Sequence, residues 1–252
     1  MTNVPRAGSR DTNVVMRAAT KTWRRRLERR ELNWLFVGLG ASILVFAFIN
    51  LAGRVMEGDT QAFDTKLLRS LRSPDDPSKP LGPAWIEPAL EDLTAVGGST
   101  VLVLVVLAVV GFLLLQTRYR TALFIALTAV SGELLNAAMK HAFNRPRPSI
   151  VPHLRAVFST SFPSGHAMES AIVYLTLGAI LMRVADTRLT KAYIMCIAVL
   201  LTFLVGLSRV YLGVHYPTDV IGGWIVGFMW ASVCWLVSQR FEAIDEEKAK
   251  AE

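Results

Sequence analysis

Six stretches of the chain, 33–52, 93–116, 121–139, 167–183, 191–208 and 218–238, are apolar and long enough to span a bilayer. About 20 predominantly apolar residues are needed to cross ~30 Å of hydrocarbon as a helix, and the runs 33–52 and 93–116 contain neither lysine nor arginine. Backbone in lipid must satisfy its own hydrogen bonds, so such a chain has two options, helices or a closed barrel. A barrel needs ten-residue strands of alternating polarity, and the runs here are continuous. The expected fold class is therefore an all-α membrane protein with six transmembrane helices. Charged residues make up 19% of the 252, against about 25% in soluble domains, and mean hydropathy is +0.40. A soluble domain, a disordered chain, a collagen and a disulfide scaffold are excluded. Cys196 and Cys234 lie inside apolar runs and act there as small hydrophobes. The first run follows a basic segment of 32 residues and exceeds a signal-peptide core, so it reads as an uncleaved anchor.

The net charge of +7 does not point to nucleic acid, because the basic residues flank spans. Seventeen of the 27 lysines and arginines fall on one side: the amino-terminal tail, the turns after spans two and four, and the carboxyl tail. The other ten lie in the loops 53–92, 140–166 and 209–217. The positive-inside rule then puts both termini in the cytoplasm and those three loops outside. The organisation expected is a basic tail (1–32), a six-helix membrane domain (33–238) and a second cytoplasmic tail (239–252). Residues 16–30 read as a basic interfacial helix or a solvated tail. In the loop 53–92, Phe63, Leu67, Leu68 and Leu71 recur at helical spacing among charges. That pattern suits a short amphipathic helix, either lying in the membrane interface or capping the bundle. Five prolines between 73 and 88 mark an irregular connector. Gly223 and Gly227 form a small-xxx-small pair suited to close helix approach.

The outward loops concentrate polar residues beside hydrocarbon. Lys140, Arg147 and Arg209 are three fixed cations, a set suited to a multiply charged anion, and the arginine fork matches phosphate oxygens. Pro146 and Pro148 hold Arg145 and Arg147 extended. Ser164, Gly165 and His166 open the fourth span, where unpaired amides and the positive end of the helix dipole attract phosphate. His215 precedes Asp219 by four residues, with Pro217 placed to start the last helix, so the carboxylate can hold the imidazole N–H. An imidazole so held is a nucleophile or a general acid–base. Two histidines and an aspartate could ligate a cation, but three positive groups beside them oppose it, so neither metal nor cofactor is expected. Glu133 and Glu169 fall near the faces of Lys140 and His166 and could line the site or pair with Lys140. His141 and Arg145 read as solvated loop residues or as the mouth of a substrate site.

The segments Lys140-x6-Arg147-Pro148, Pro163-Ser164-Gly165-His166 and Ser208-Arg209-x5-His215-x3-Asp219 resemble the tripartite signature of the type 2 phosphatidic acid phosphatase superfamily, in order and in full. The resemblance covers 93–238 and is closest to its six-helix lipid phosphatases. It implies that His215 attacks phosphorus to form a phosphohistidine, Asp219 orients it and His166 protonates the leaving oxygen. Lys140, Arg147, Ser164, Gly165 and Arg209 would bind the phosphoryl oxygens, with Ser208 supporting the pocket. The implied partner is a lipid phosphate in a bacterial cytoplasmic membrane: undecaprenyl diphosphate, or a phosphatidic acid or phosphatidylglycerol phosphate. The resemblance leans toward the first. A non-catalytic lipid-binding or transport module on the same scaffold is the rival, and the intact His215, Asp219 and His166 argue against it.

Overall fold

The structure, a computed structural model, describes residues 38–154 and 159–251, with residues 240–251 as backbone alone. The basic segment 1–32 and its helix at 16–30 lie outside the described residues. The chain divides into two compact units, residues 1–47 and 48–252. Of the first, residues 38–47 are described; they are helical and mostly exposed, with Leu39, Ile43 and Phe46 outermost among their apolar side chains.

The described residues form helices α1 (Gly38–Glu57), α2 (Gln61–Ser70), α3 (Ile86–Val96), α4 (Ser99–Leu115), α5 (Tyr119–Phe143), α6 (Gly165–Val184), α7 (Arg188–Tyr211) and α8 (Pro217–Ala251). No strand is present among them, apart from a single antiparallel bridge between Arg72 and Pro80. Five helices have the length and hydropathy to cross a membrane: α1, α5, α6, α7 and the Pro217–Gln239 part of α8. The apolar run expected at 93–116 is not one straight helix. Gly97 and Gly98 break it, with Gly98 extended, and α3 meets α4 at a bend of 47°; the pair qualifies as a sixth span only when taken together. Adjacent glycines carry the highest helix cost of any residue but proline. A side chain on Gly97 would also reach within 2.2 Å of Val205 on α7.

α6 is the central helix, with 56% of its apolar window buried. It packs on α8 at the Gly223/Gly227 pair: a methyl on Gly223 would come to 2.6 Å of the Ser164 carbonyl, and one on Gly227 to 2.6 Å of Ala171. Between helices in lipid the driving force is close packing more than hydrophobicity, so these glycines set the distance of α6 from α8. Phe48, Phe143 and Phe162 pack at ring separations of 5.0 to 6.0 Å beside Met168 and Ile172, Phe48 stacked on Phe162 and Phe143 edge-on to both. Around this core, Val103, Leu107, Leu127, Phe203 and Phe228 are exposed, the outward apolar face of a multi-pass membrane protein.

The four apolar residues of α2 divide. Leu68 is fully buried among Ala167, Val210, Tyr216 and Val220, with Leu71 beside it. Phe63 (54% exposed) and Leu67 (39% exposed) turn away. One face of the expected amphipathic helix thus caps the bundle.

Candidate active site

The site forms at one end of the bundle, where α5 and α7 end and α6 and α8 begin. Asn144, in the left-handed region at φ 41, stops α5, and Pro146 and Pro148 keep the following segment out of helix. Arg147 is thereby carried across the site. Its Nη1 donates to the Val214 carbonyl at 2.6 Å and lies 3.1 Å from His215 Nε2. A guanidinium can only donate, so Nε2 carries the lone pair and the imidazole proton sits on Nδ1. Nδ1 faces Asp219 Oδ2 at 3.6 Å, an ion-pair distance longer than a direct hydrogen bond. His215 is 1% exposed. Burial, reinforced by Arg147 and Arg209 against the pull of Asp219, brings its imidazole down to about 4. A neutral ring with its free nitrogen among cations is poised to attack an anionic electrophile.

Lys140 and Arg147 converge on one hydroxyl. Lys140 Nζ is 3.3 Å from Ser159 Oγ, and Arg147 Nη2 is 3.0 Å from it. Burial lowers the Arg147 guanidinium from its ordinary value, with Asp219 pulling the other way. Arg209, 2% exposed, donates to Thr94 Oγ1 at the end of α3, and its carbonyl accepts the His215 amide. Ser164, at the start of α6, is fully buried, and its hydroxyl has no hydrogen-bond partner. Its amide donates to the Asp219 carbonyl, which ties α6 to α8. A methyl on Gly165 would stand 2.9 Å from Asn136 Nδ2, 3.1 Å from Lys140 Nζ and 3.3 Å from Glu169 Oε1. Glycine lets the backbone pass close to the Asn136 amide and the lysine ammonium, which a side chain there would displace. The orphaned hydroxyl, the first-turn amides of α6 and the converging cations form a cradle for a tetrahedral anion.

Two expectations change. Arg145 is not a solvated loop residue; it is 7% exposed and bridges two carboxylates, Asp219 Oδ1 through Nη1 and Asp64 Oδ2 through Nη2 at 2.9 Å. Burial works against its charge, yet those carboxylates outweigh it and raise the guanidinium above its ordinary value. Its guanidinium also lies 4.3 Å over the Tyr216 ring. Ser208, expected to support the pocket, spends its hydroxyl on the Val205 carbonyl one turn back. His166 is half-buried beside the α3–α4 bend, its Nε2 3.7 Å from where a side chain on Gly98 would begin.

Sequence reasoning missed three residues. Ser161 Oγ donates to Asp219 Oδ2 in a short hydrogen bond and stands 3.5 Å from His215 Nδ1. Asp64, fully buried on α2, also accepts from Thr218 through its amide and hydroxyl. Asn136 donates to Glu169 at 2.5 Å. Nothing local marks Ser161 as a partner of Asp219, and Asp64 was hidden among the other charges of an amphipathic helix. Asn136 could have been found: it lies one turn before Lys140 on the same helix face.

The fold and site define a helical membrane protein with a cationic cradle facing a histidine–aspartate pair. The PAP2 superfamily model matches residues 121–243, and the chain belongs to that superfamily. It is 32% identical over 146 residues to the phosphatidylglycerophosphatase B of Bacillus subtilis (strain 168), covering 58% of this chain and 71% of the relative. It is 29% identical to the undecaprenyl-diphosphatase BcrC of the same organism, over 50% of this chain and 62% of that one. The crystal structure of a transmembrane PAP2-type phosphatidylglycerolphosphate phosphatase from Bacillus subtilis superposes with a TM-score of 0.70 at 27% identity, covering 79% of this chain and 96% of the other.

Proposed function

We propose that this protein is an integral membrane lipid phosphatase that hydrolyses the phosphomonoester or diphosphate of a membrane lipid through a phosphohistidine. The observation that carries the reading is the orientation of His215. Its unprotonated Nε2 meets Arg147 at 3.1 Å while its Nδ1 edge faces Asp219 and Ser161. With a phosphoryl group in the cradle, Nε2 attacks phosphorus in line with the departing alkoxide or phosphate, to which His166 gives a proton. The imidazolium that forms is stabilised by Asp219, held by Arg145, Ser161 and the Tyr216 amide. Lys140, Arg147, Arg209 and the α6 amides spread the charge of the transition state. Water, deprotonated by His166, then cleaves the P–N bond and releases phosphate.

The cradle needs no metal to neutralise the phosphoryl oxygens, since three side-chain cations face it. Among the described residues no group of three or more histidines, cysteines, aspartates and glutamates could hold a metal ion. Six spans, with α3 and α4 as one bent span, would make 33–238 a single membrane domain with cytoplasmic tails on either side and the site at the outer face. The exposed Phe63 and Leu67 would let α2 rest in the membrane interface. The names of the relatives support a lipid phosphate substrate.

The test is phosphate release by purified protein from phosphatidic acid, phosphatidylglycerol phosphate, undecaprenyl diphosphate and a soluble aryl phosphate, with and without chelator and vanadate. Release from the lipids in chelator, blocked by vanadate and abolished in His215→Ala, is expected. His166→Ala should accumulate labelled protein from radiolabelled substrate. Turnover by the His215 variant would end this mechanism, and activity lost in chelator but restored by magnesium would make it metal-dependent.

A further inference from the structure

Beyond the cradle, three acidic or amide side chains outside the catalytic set occupy the way out to the lipid. Glu169 lies one turn after His166 on α6 and is 9% exposed. Its Oε1 accepts from Asn136 Nδ2 at 2.5 Å and its Oε2 from Ser99 Oγ at 3.0 Å. The Glu133 carboxyl is within hydrogen-bond reach of it. Asn136 is 3% exposed, and the oxygen of its amide has no hydrogen-bond partner. One Asn136 amide N–H and the Ser99 hydroxyl both serve Glu169. What remains for a ligand is a wall rich in acceptors, the Asn136 oxygen and the two carboxyl groups.

Its position is set on both sides. Toward the cradle, Asn136, Lys140 and Glu169 all close on the point where a Gly165 side chain would begin, at 2.9 to 3.3 Å. Away from it, Ser99, Glu133 and Glu169 line one end of a cavity of about 390 Å³ between α4, α5 and α6, whose other walls include Val106, Val110, Ala126 and Val130. A lipid with its phosphate at Gly165 and its tail in that apolar space has its first few bonds beyond phosphorus running past the acceptor wall.

We propose that Glu133, Glu169 and Asn136 select the leaving group, favouring lipid phosphomonoesters that carry a free hydroxyl within a few bonds of the phosphate and rejecting lipid diphosphates. A hydroxyl there donates to the orphaned Asn136 oxygen or to a carboxyl. A second phosphate brings one to two further negative charges against two carboxyl groups and the Asn136 oxygen, which accept hydrogen bonds but do not neutralise an anion. This rests on the lipid phosphatase reading above and narrows it against the polyprenyl diphosphate that the family resemblance favours.

The experiment compares kcat/KM of purified protein for a lysophosphatidate, dodecyl phosphate and farnesyl diphosphate in one detergent, for wild type, Glu133→Gln, Glu169→Gln and the double variant. In wild type the lysophosphatidate is expected to exceed dodecyl phosphate at least fivefold and the diphosphate at least tenfold. In the double variant the preference for lysophosphatidate over diphosphate should fall at least tenfold, because the amides remove the charge and add donors. The wild-type comparison stands even if a variant does not fold. Equal or better turnover of the diphosphate by wild type, or a preference unchanged in folded variants, overturns the proposal. Failure to release phosphate from any of the three lipids overturns the phosphatase reading itself.

Discussion

The connection from Asp64 to Asp219 can be tested by one atom's change, Asp64→Asn. The Asp64 carboxylate accepts from Arg145, from the Thr218 amide and hydroxyl, and from Thr60 at 3.1 Å. An amide in its place loses the charge and turns an NH₂ toward at least one of these donors. Breaking a buried ion pair by removing one partner costs ~3–5 kcal/mol. Arg145 keeps Asp219 as a second partner, so about 2–3 kcal/mol is expected, close to the worth of a charge-assisted hydrogen bond or two. At ~2–4 °C per kcal/mol for a chain of this size, Tm falls by roughly 4–12 °C. The freed guanidinium re-aims the Asp219 carboxylate, and a displacement of about 1 Å in a catalytic group can cost ~100-fold. The kcat for a lipid phosphate should therefore drop roughly 10- to 100-fold while KM moves less than about threefold, because the cradle itself is untouched. Arg69→Gln, on the exposed side of the same helix, is the control and should change stability by less than about 0.5 kcal/mol. Wild-type Tm and kcat in Asp64→Asn would refute the idea that α2 holds the Asp219 carboxylate in place for the proposed reaction.

Gly165→Ala places a methyl 2.9 Å from Asn136 Nδ2 and 3.1 Å from Lys140 Nζ; KM for lipid phosphate and the inhibition constant for vanadate should both rise at least tenfold, with helix content by circular dichroism unchanged. His215 has a folded value of about 4 against 6.5, so the unfolded chain takes up its proton first as pH falls; the stability this contributes is complete above pH ~6.5 and is lost toward pH 4, about 2 kcal/mol by pH 5. Thermal unfolding of His215→Asn should therefore depend less steeply on pH between 7 and 5 than wild type, and parallel curves would contradict the buried neutral imidazole. For orientation, single cysteines replacing the exposed Asp75 and Asp186, in a background lacking Cys196 and Cys234, should react with an impermeant thiol reagent in intact cells at 75 and only after lysis at 186; the reverse pattern would put the site in the cytoplasm.

Much of this protein is decided by its sequence alone, because membrane spans and helix ends are local properties. A run of about 20 apolar residues is a helix in lipid wherever its neighbours lie, and α5, α6, α7 and the apolar part of α8 begin and end within a few residues of the expected bounds. The candidate site residues are legible for the same reason: Lys140 and Arg147, Ser164 to His166, and Arg209 to Asp219 each belong to one helix end, where spacing along the chain sets spacing in space. The tertiary structure decided what couples those ends. Asp219 is oriented by Arg145 and Ser161, 74 and 58 residues away, and Arg145 by Asp64, a further 81 residues back. No periodicity links residues so far apart. The division of the apolar residues of α2 and the meeting of Asn136 with Glu169 likewise depend on which helix lies opposite. An apolar run contains its own hydrogen-bond partners, whereas a buried charge must find its partner on another element, and only the packed chain determines which one.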